Sequence, residues 1–308
     1  MKSSDFGKVA VLMGGNSAER EVSLKSGHAV LNALIAQQID AFAFDPAERP
    51  ITDLLSLGVD RAFIVLHGRG GEDGAMQGAL QSLNVPYTGS GVLGCALAMD
   101  KVRTKQIWQS LHLPVAPSIV IRVGSAQWDA AQILKQLGDK VIVKPALEGS
   151  SIGMSVASEA GELDAAIREA LRYQSDVLVE RWINGKEYTV ALLNDEALPV
   201  IRLQTPHQFY DFSAKYQAND TQYHCPAGLS DEDEGYLRHL AVLAFSAIDG
   251  RGWGRIDAMR DDEGQWFLLE ANAVPGMTEK SLVPMAAKQY GLSFEQLVWN
   301  ILAQTLEQ

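Results

Sequence analysis

The chain has 308 residues and is 47% hydrophobic, enough for a buried core and long enough for two or three domains. Its 26 Lys+Arg against 38 Asp+Glu give a formal net charge of -12, with the acids spread along the sequence, which argues against a nucleic-acid or anionic-membrane surface. Cys95 and Cys225 lack CxxC partners, no apolar run reaches the ~18–20 residues of a membrane span, and no basic-then-apolar leader opens the chain, so a cytoplasmic protein without zinc or disulfides is expected.

Residues 8–15, KVAVLMGG, read as a strand ending in glycines, and 17–37 carry apolar residues at helical spacing. Strand 40–45, strand 61–68, a helix through 74–83 and strand 85–88 continue the alternation, which implies a parallel sheet covered on both faces. A helix over 94–111 leads to PVAPSIVI (114–121), whose prolines mark a linker or entry turn. Helix 125–137, strand 140–146, a glycine loop, strand 151–157, helix 161–173 and strand 177–182 then describe a small α+β unit with a hairpin. Strands 186–193, 197–204, 253–261 and 265–272 follow, with helices over 231–248 and 293–306. Between them 205–229 is a long aromatic and polar connection, and loops of that length inside compact domains are usually functional. The expected organisation is 1–100, α/β, then 101–183 and 184–308, both α+β.

The sharpest constellation is RIDAMRDDEGQWFLLEAN (255–272), two strands joined by a polar turn. Alternation along a strand puts Arg255 with Asp257, and Glu270 with Asn272, so three oxygen donors converge if the strands pair with those faces aligned. Two carboxylates and an amide suit Mg²⁺ bridging nucleotide phosphates and do not suit zinc. A solvated sheet face is the alternative, opposed by the apolar neighbours Leu268, Leu269 and Ala271. Glu180 and Glu187 stand near the join of the second and third units, either in a crevice that holds ribose hydroxyls or on exposed strand ends.

In VIVKPALEGSSIGM (141–154), Lys144 precedes a Gly/Ser-rich turn, the reverse of the phosphate loop that ends in Gly-Lys-Ser/Thr before a helix. Backbone N–H groups in such a turn form an anion-binding concavity by themselves. HGRGGEDG (67–74) is a glycine-rich strand-to-helix turn that lets the backbone approach a ligand. GGNSAERE follows the first strand where GxGxxG would be needed, so a dinucleotide fingerprint is absent; Glu19, three residues after Asn16, fits a capping box there.

In chain order, GGNSAEREVSLKSG, HGRGGEDGAMQG, MDKVRTK, KPALEGSSIGMS, VERWINGKEYTV, AKYQANDTQYHCPA, GWGRID and LLEANAVPGMTEKSLVP resemble the D-alanine–D-alanine ligase family of ATP-grasp enzymes. The resemblance covers essentially the whole chain. It implies an ATP-grasp fold with an N-terminal Rossmann-like parallel-sheet domain, and ATP-dependent ligation of two D-alanines to the dipeptide used in peptidoglycan. It places nucleotide contacts at Lys101, Lys144, Ser151, Glu180, Trp182, Ile183, Glu187 and Lys215, and Mg²⁺ ligands at Asp257, Glu270 and Asn272. Two Mg²⁺ ions are implied, with Mn²⁺ as a substitute. Glu19 would hold the first substrate's ammonium with His67 nearby, Ser281 and Leu282 the second substrate's carboxylate, and Arg255 with the Gly276 N–H the developing oxyanion.

In the same family Glu19, Ser150 and Tyr216 would form a hydrogen-bonded set that ties the first domain, the glycine loop and the 205–229 connection together, making the connection a lid over a hydrolysable acyl phosphate. The Lys215-Tyr216 pair resembles the form associated with D-alanine as second substrate, and a homodimer is implied, with neither nucleic acid nor membrane as partner. Ala273, where the family usually has Thr or Ser, and Ala258, where a larger aliphatic residue is usual, are departures that bear on loop packing around Gly276. Competing readings are another ATP-grasp carboxylate–amine ligase, such as a D-alanine–D-lactate ligase, a nucleotide-responsive binding protein without chemistry, and an NAD-dependent dehydrogenase.

Overall fold

In a computed structural model, which describes residues 2–205 and 221–307, the chain folds around three sheets. β1 (Lys8–Leu12), β2 (Asp40–Phe44) and β3 (Arg61–Ile64) are parallel in the order β2-β1-β3. Val9 through Leu12 are all buried, the near-continuous apolar run that a central parallel strand needs. α1 (Arg20–Ala36), α2 (Asp53–Ser56) and α3 (Ala75–Ser82) complete this part. Residues 85–88 supply a single parallel bridge, Ala62 to Tyr87, in place of the expected strand, because Pro86 has no N–H to extend the ladder.

The one helix expected over 94–111 is two. α4 (Val92–Met99) stops at Asp100, whose carboxylate accepts from the Val102 and Arg103 N–H groups and so starts α5 (Lys101–Ser110). Lys101 and Lys105, four residues apart, then share a buried face of α5.

β4 (Ser118–Ile121), β5 (Val141–Pro145), β6 (Ser155–Ala157) and β7 (Val177–Arg181) form the second sheet, antiparallel throughout in the order β4-β7-β5-β6. α6 (Ala130–Leu137) and α7 (Ala160–Leu171) pack on it around Ile133, Val141, Leu163, Ile167 and Val179. The β5–β6 hairpin is present, although β6 begins at Ser155 instead of Ser151, which lengthens the glycine loop.

The third sheet comprises β8 (Gly185–Leu193), β9 (Glu196–Ala197), β10 (Ile201–Gln204), β11 (Gln222–His224), β12 (Trp253–Asp261) and β13 (Trp266–Asn272), along the path β11-β10-β8-β12-β13 with β9 on β8. The strand expected over 197–204 divides around Pro199, and β11 lies inside the 205–229 connection. α8 (Asp231–Ala247) packs on β12 and β8, and α9 (Leu282–Tyr290) with α10 (Phe294–Ala303) ends the chain. α9 was not expected, yet Pro284 lies in its first turn, where a missing N–H costs nothing.

The apolar clusters cross these sequence segments. One joins Val11, Leu12 and Phe63 of the first sheet to Trp253, Val283, Val298 and Ile301 from the C-terminal part. Another joins Cys95 and Trp108 to Val190, Ile256 and Leu268 of the third sheet. Among the described residues no helix is long and apolar enough to cross a membrane.

Trp108 has no exposed surface and donates from Nε1 to the Ala244 carbonyl at 2.8 Å, fastening α5 to α8. Trp108→Ala is expected to destabilise the fold by about 3–5 kcal/mol, and Trp108→Phe by about half as much, read from urea unfolding midpoints.

Candidate functional site

A cleft of about 1050 Å³ opens where the three sheets meet, lined among others by Glu19, His67, Glu72, Lys101, Ser150, Arg255, Glu270, Asn272, Gly276, Ser281 and Leu282. A second cleft of about 470 Å³ shares Glu270 with it and is lined by Lys144, Ser151, Glu180, Trp182, Ile183 and Glu187, with the apolar side chains of Ile142, Leu203 and Met259. Asp257 lies beneath, 5% exposed. Lys215 and Tyr216, and residues 206–220 of the expected lid, lie outside the described residues.

At one end Glu19 begins α1 without making a side-chain cap, so the Asn16–Glu19 capping box is not formed. Its carboxylate turns across the cleft and accepts from Ser150 Oγ in the glycine loop. A Cβ at Gly149 would stand 3.0 Å from Glu19 Oε2 and 3.8 Å from Glu72 Oε1, so the loop reaches these acids because it lacks a side chain there. Ser150 and Ser151 follow at φ 49° and 61°, a left-handed conformation that serine adopts at a cost of order 1–3 kcal/mol when surroundings enforce it.

His67 is 5% exposed, and its Nδ1 lies 3.0 Å from the Val274 carbonyl, so Nδ1 carries the proton and donates. Nε2 is left as a buried acceptor with no partner among the described residues. Burial pushes the imidazole below its ordinary value against the pull of Glu19. Glu72 accepts from the Gly68 N–H at 2.9 Å and is pushed up to about 8, chiefly by burial and then by Glu19. Sequence reasoning missed Glu72, reading its turn for glycines alone; an acid within such a turn was the available signal.

On the third sheet, Asp257 pairs directly opposite Glu270 and Arg255 opposite Asn272. The faces therefore align. Asp257 Oδ1 accepts from Thr189 Oγ1 at 2.6 Å and Arg255 Nε at 2.8 Å, and Oδ2 from Arg255 Nη2 at 2.7 Å and Asn272 Nδ2 at 3.1 Å. Because the Asn272 amide nitrogen faces Asp257, its Oδ1 is the atom left for a ligand. Lys101 Nζ stands 3.5 Å from Glu270 Oε2 and donates to the Glu148 carbonyl at 2.6 Å. Two carboxylates and an amide oxygen are the hard-donor set that Mg²⁺ takes, with Glu270 and Asn272 Oδ1 at the cleft and the buried Asp257 carboxylate already accepting four hydrogen bonds. A register shift after Asp257 sets Ala258 opposite Leu268, a bulge beside the site.

In the second cleft, Glu180 is 1% exposed and lies between Lys105 Nζ at 2.5 Å and Lys144 Nζ at 2.8 Å. Burial alone would raise its carboxyl, but the two lysines outweigh it and hold Glu180 below the ordinary carboxylate range. Lys105 was also missed, although its spacing of four from Lys101 was visible. Glu187 lies across from Leu203 and Met259 on the neighbouring strands. Lys140 Nζ sits 4.2 Å from the Trp182 ring centroid. Arg69 Nη2 reaches Glu148 at 2.6 Å and clips the glycine loop to the first sheet's side.

Near Gly276, Ser281 Oγ lies 3.1 Å from where a Gly276 Cβ would be and accepts from the Thr278 N–H at 2.9 Å. Ala273 and Ala258 are 2% and 0% exposed within one apolar cluster, where a methyl leaves no polar atom to satisfy.

Two family models match the chain: the one described as D-ala D-ala ligase N-terminus over residues 45–90, and D-ala D-ala ligase C-terminus over residues 107–303. The sequence is 64% identical over 308 residues, 100% of both chains, to a D-alanine–D-alanine ligase of Idiomarina loihiensis. It is 60% identical over 98% of each chain to that of Pseudoalteromonas translucida. Among solved structures, the D-alanine–D-alanine ligase of Bacillus anthracis complexed with ATP superposes with a TM-score of 0.85 at 26% identity, over 97% of each chain.

The buried acid and base have pH signatures of opposite sign. Glu72, raised from 4.5 to about 8, holds in the native state a proton that the unfolded chain releases, so its contribution to stability is present below pH 4.5 and is lost as pH rises to about 8. His67, lowered from 6.5, withdraws stability as pH falls below that value. In buffer without nucleotide or divalent cation, wild-type Tm is expected to fall relative to Glu72→Gln between about pH 5 and pH 8. Parallel curves for the two proteins would remove Glu72 as the cause.

Proposed function

The chain belongs to the D-alanine–D-alanine ligase family, and on that premise we propose how its residues carry out the reaction. The protein is an ATP-dependent ligase that joins two D-alanines into D-alanyl-D-alanine for peptidoglycan. One observation carries the assignment of roles: a single cleft is lined by the paired Glu19 and Ser150 and by Lys101, Glu270 and Asn272, with Asp257 across from Glu270 on the neighbouring strand.

Glu19 holds the ammonium of the first D-alanine, and His67 Nε2 offers that ammonium an acceptor. The substrate's carboxylate is thereby turned toward the γ-phosphate of ATP in the adjoining cleft. A carboxylate oxygen attacks the γ-phosphorus, the bond to the β,γ-bridging oxygen breaks, ADP departs and an acyl phosphate remains. Such a transfer requires mainly positioning and charge neutralisation, which Lys101 and Lys144 supply as fixed cations. Asp257, Glu270 and Asn272 would hold Mg²⁺, two ions with Mn²⁺ able to substitute, which adds positive charge at the phosphates when bound. Ser151 faces the phosphates, and Glu180, Trp182, Ile183 and Glu187 line the nucleoside pocket.

The second D-alanine lays its carboxylate on Ser281 and Leu282 at the N-terminus of α9, where backbone N–H groups favour an anion. Its amine, after losing a proton, attacks the acyl carbon, and the oxygen that becomes negative faces Arg255 and the Gly276 N–H. Phosphate then leaves. The glycine loop, through Ser150, and the 205–229 connection, through Tyr216, exclude water from the acyl phosphate, and Lys215 joins the nucleotide contacts. The same reading takes the units as 1–100, 101–183 and 184–308, and sets a homodimer in the cytoplasm, where ATP is available.

With ATP, Mg²⁺ and D-alanine, ADP, phosphate and dipeptide are expected in equal amounts, and L-alanine should give none. ADP without dipeptide would reject ligation, and preference for D-lactate would reassign the second substrate. Glu270→Gln should lower kcat by about 100-fold or more while changing stability by less than about 1 kcal/mol; matched losses would make the carboxylate structural. Ser150→Ala should raise KM for D-alanine several-fold and Ser151→Ala KM for ATP, and steady-state kinetics in each substrate would show whether the two adjacent serines separate this way.

A further inference from the structure

Lys105 has no role in the ligation derived above, yet its side chain is 2% exposed and its ammonium ends between two elements to which it does not belong. From α5 its Nζ donates to Glu180 Oε1 on β7 at 2.5 Å and to the Leu268 carbonyl on β13 at 3.1 Å. Glu180 Oε2 in turn lies 2.8 Å from Lys144 Nζ, and Lys144 lines the nucleotide cleft. The three side chains form a buried row with two positive charges and one negative. Lys144 and Glu180 alone would make a neutral pair; the second lysine leaves one positive charge uncompensated where an unmatched charge is costly. The nearby carboxylate of Glu270 does not cancel it, being 3.5 Å from Lys101, a further cation. An anion above Lys144 completes the balance.

We propose that Lys105 is a positioning residue for the ATP phosphates: by engaging Glu180 Oε1 it prevents Glu180 from neutralising Lys144, whose charge stays directed at the cleft. The proposal rests on the nucleotide reading of that cleft. The Leu268 bond adds a second function. Leu268 precedes Glu270 by two residues on β13 and is also held by its N–H on the Pro114 carbonyl at 2.8 Å, so Lys105 fixes the spacing between the lysine row and the metal face. A lysine that served packing alone would affect both substrates alike.

The test compares wild type, Lys105→Met and Lys105→Arg by steady-state kinetics in each substrate and by equilibrium titration with a non-hydrolysable ATP analogue and Mg²⁺. Lys105→Met should weaken the analogue and raise KM for ATP about tenfold, the scale of a lost charge-assisted contact, with KM for D-alanine within about twofold. Lys105→Arg, which keeps the charge, should fall between the two. Unchanged analogue affinity, or equal rises in both KM values, overturns the proposal. If Lys105→Met does not fold, Lys105→Gln, which keeps a donor to Glu180 Oε1 without the positive charge, takes its place: the analogue should again bind more weakly with KM for D-alanine within about twofold, and unchanged analogue affinity overturns the proposal. A wild type that binds the analogue but makes no dipeptide would overturn the functional reading, while the titration still decides Lys105.

Discussion

β12 is hydrogen-bonded on both sides, to β8 and to β13, and the orientation of Asp257 follows from that double pairing. Thr189 stands across from it on one side and Glu270 on the other. A slip of one residue would turn Asp257 and Arg255 toward α8 and put Ile256 and Ala258 into the cleft. The ladder thus prevents such a slip and holds the carboxylate among donors from three adjacent strands before any ligand arrives. Preorganisation of this kind lets charge be stabilised without reorientation at the moment of reaction.

Around that fixed face the cleft is closed by contacts that join one sheet's surroundings to another's. Glu19 meets Ser150, His67 meets the Val274 carbonyl, the Met277 N–H meets Ser26 Oγ at 3.1 Å, and Lys101 meets the Glu148 carbonyl. Each is short, polar and largely shielded from water, so each strengthens in the low local dielectric and is costly to leave half made. Substrate recognition and the relative placement of the sheets therefore draw on the same side chains. Glu72 and His67 show the cost of that arrangement, since both hold unusual proton affinities to remain in the pocket wall.

Alternation by two made the Arg255–Asp257 and Glu270–Asn272 pairs legible within their strands, and the register that sets Asp257 across from Glu270 came from the fold. The parallel first sheet was equally plain from its apolar runs. Boundaries were harder. VLGCALAMDKV keeps an apolar rhythm through Asp100, so the break appears only when the aspartate is seen capping the next helix. Lys105 and Glu72 escaped notice for another reason: their meaning lies in partners distant in sequence, Glu180 being 75 residues from Lys105. Glu19 fitted a local cap in the sequence, and in the fold it turns to a serine 131 residues away. The resemblance supplied roles for single residues; the fold adds which of them neutralise one another.

The apolar cluster that unites Val11 and Phe63 with Val283, Val298 and Ile301 has a consequence for how the protein comes into being. The first sheet leaves the ribosome well before its partners on α9 and α10. During synthesis it must wait with apolar surface uncovered, and closing that loop joins nearly the full length of the chain in one late step. The N-terminal part is then a guest of the C-terminus, and the growing chain is the form that most needs chaperone protection.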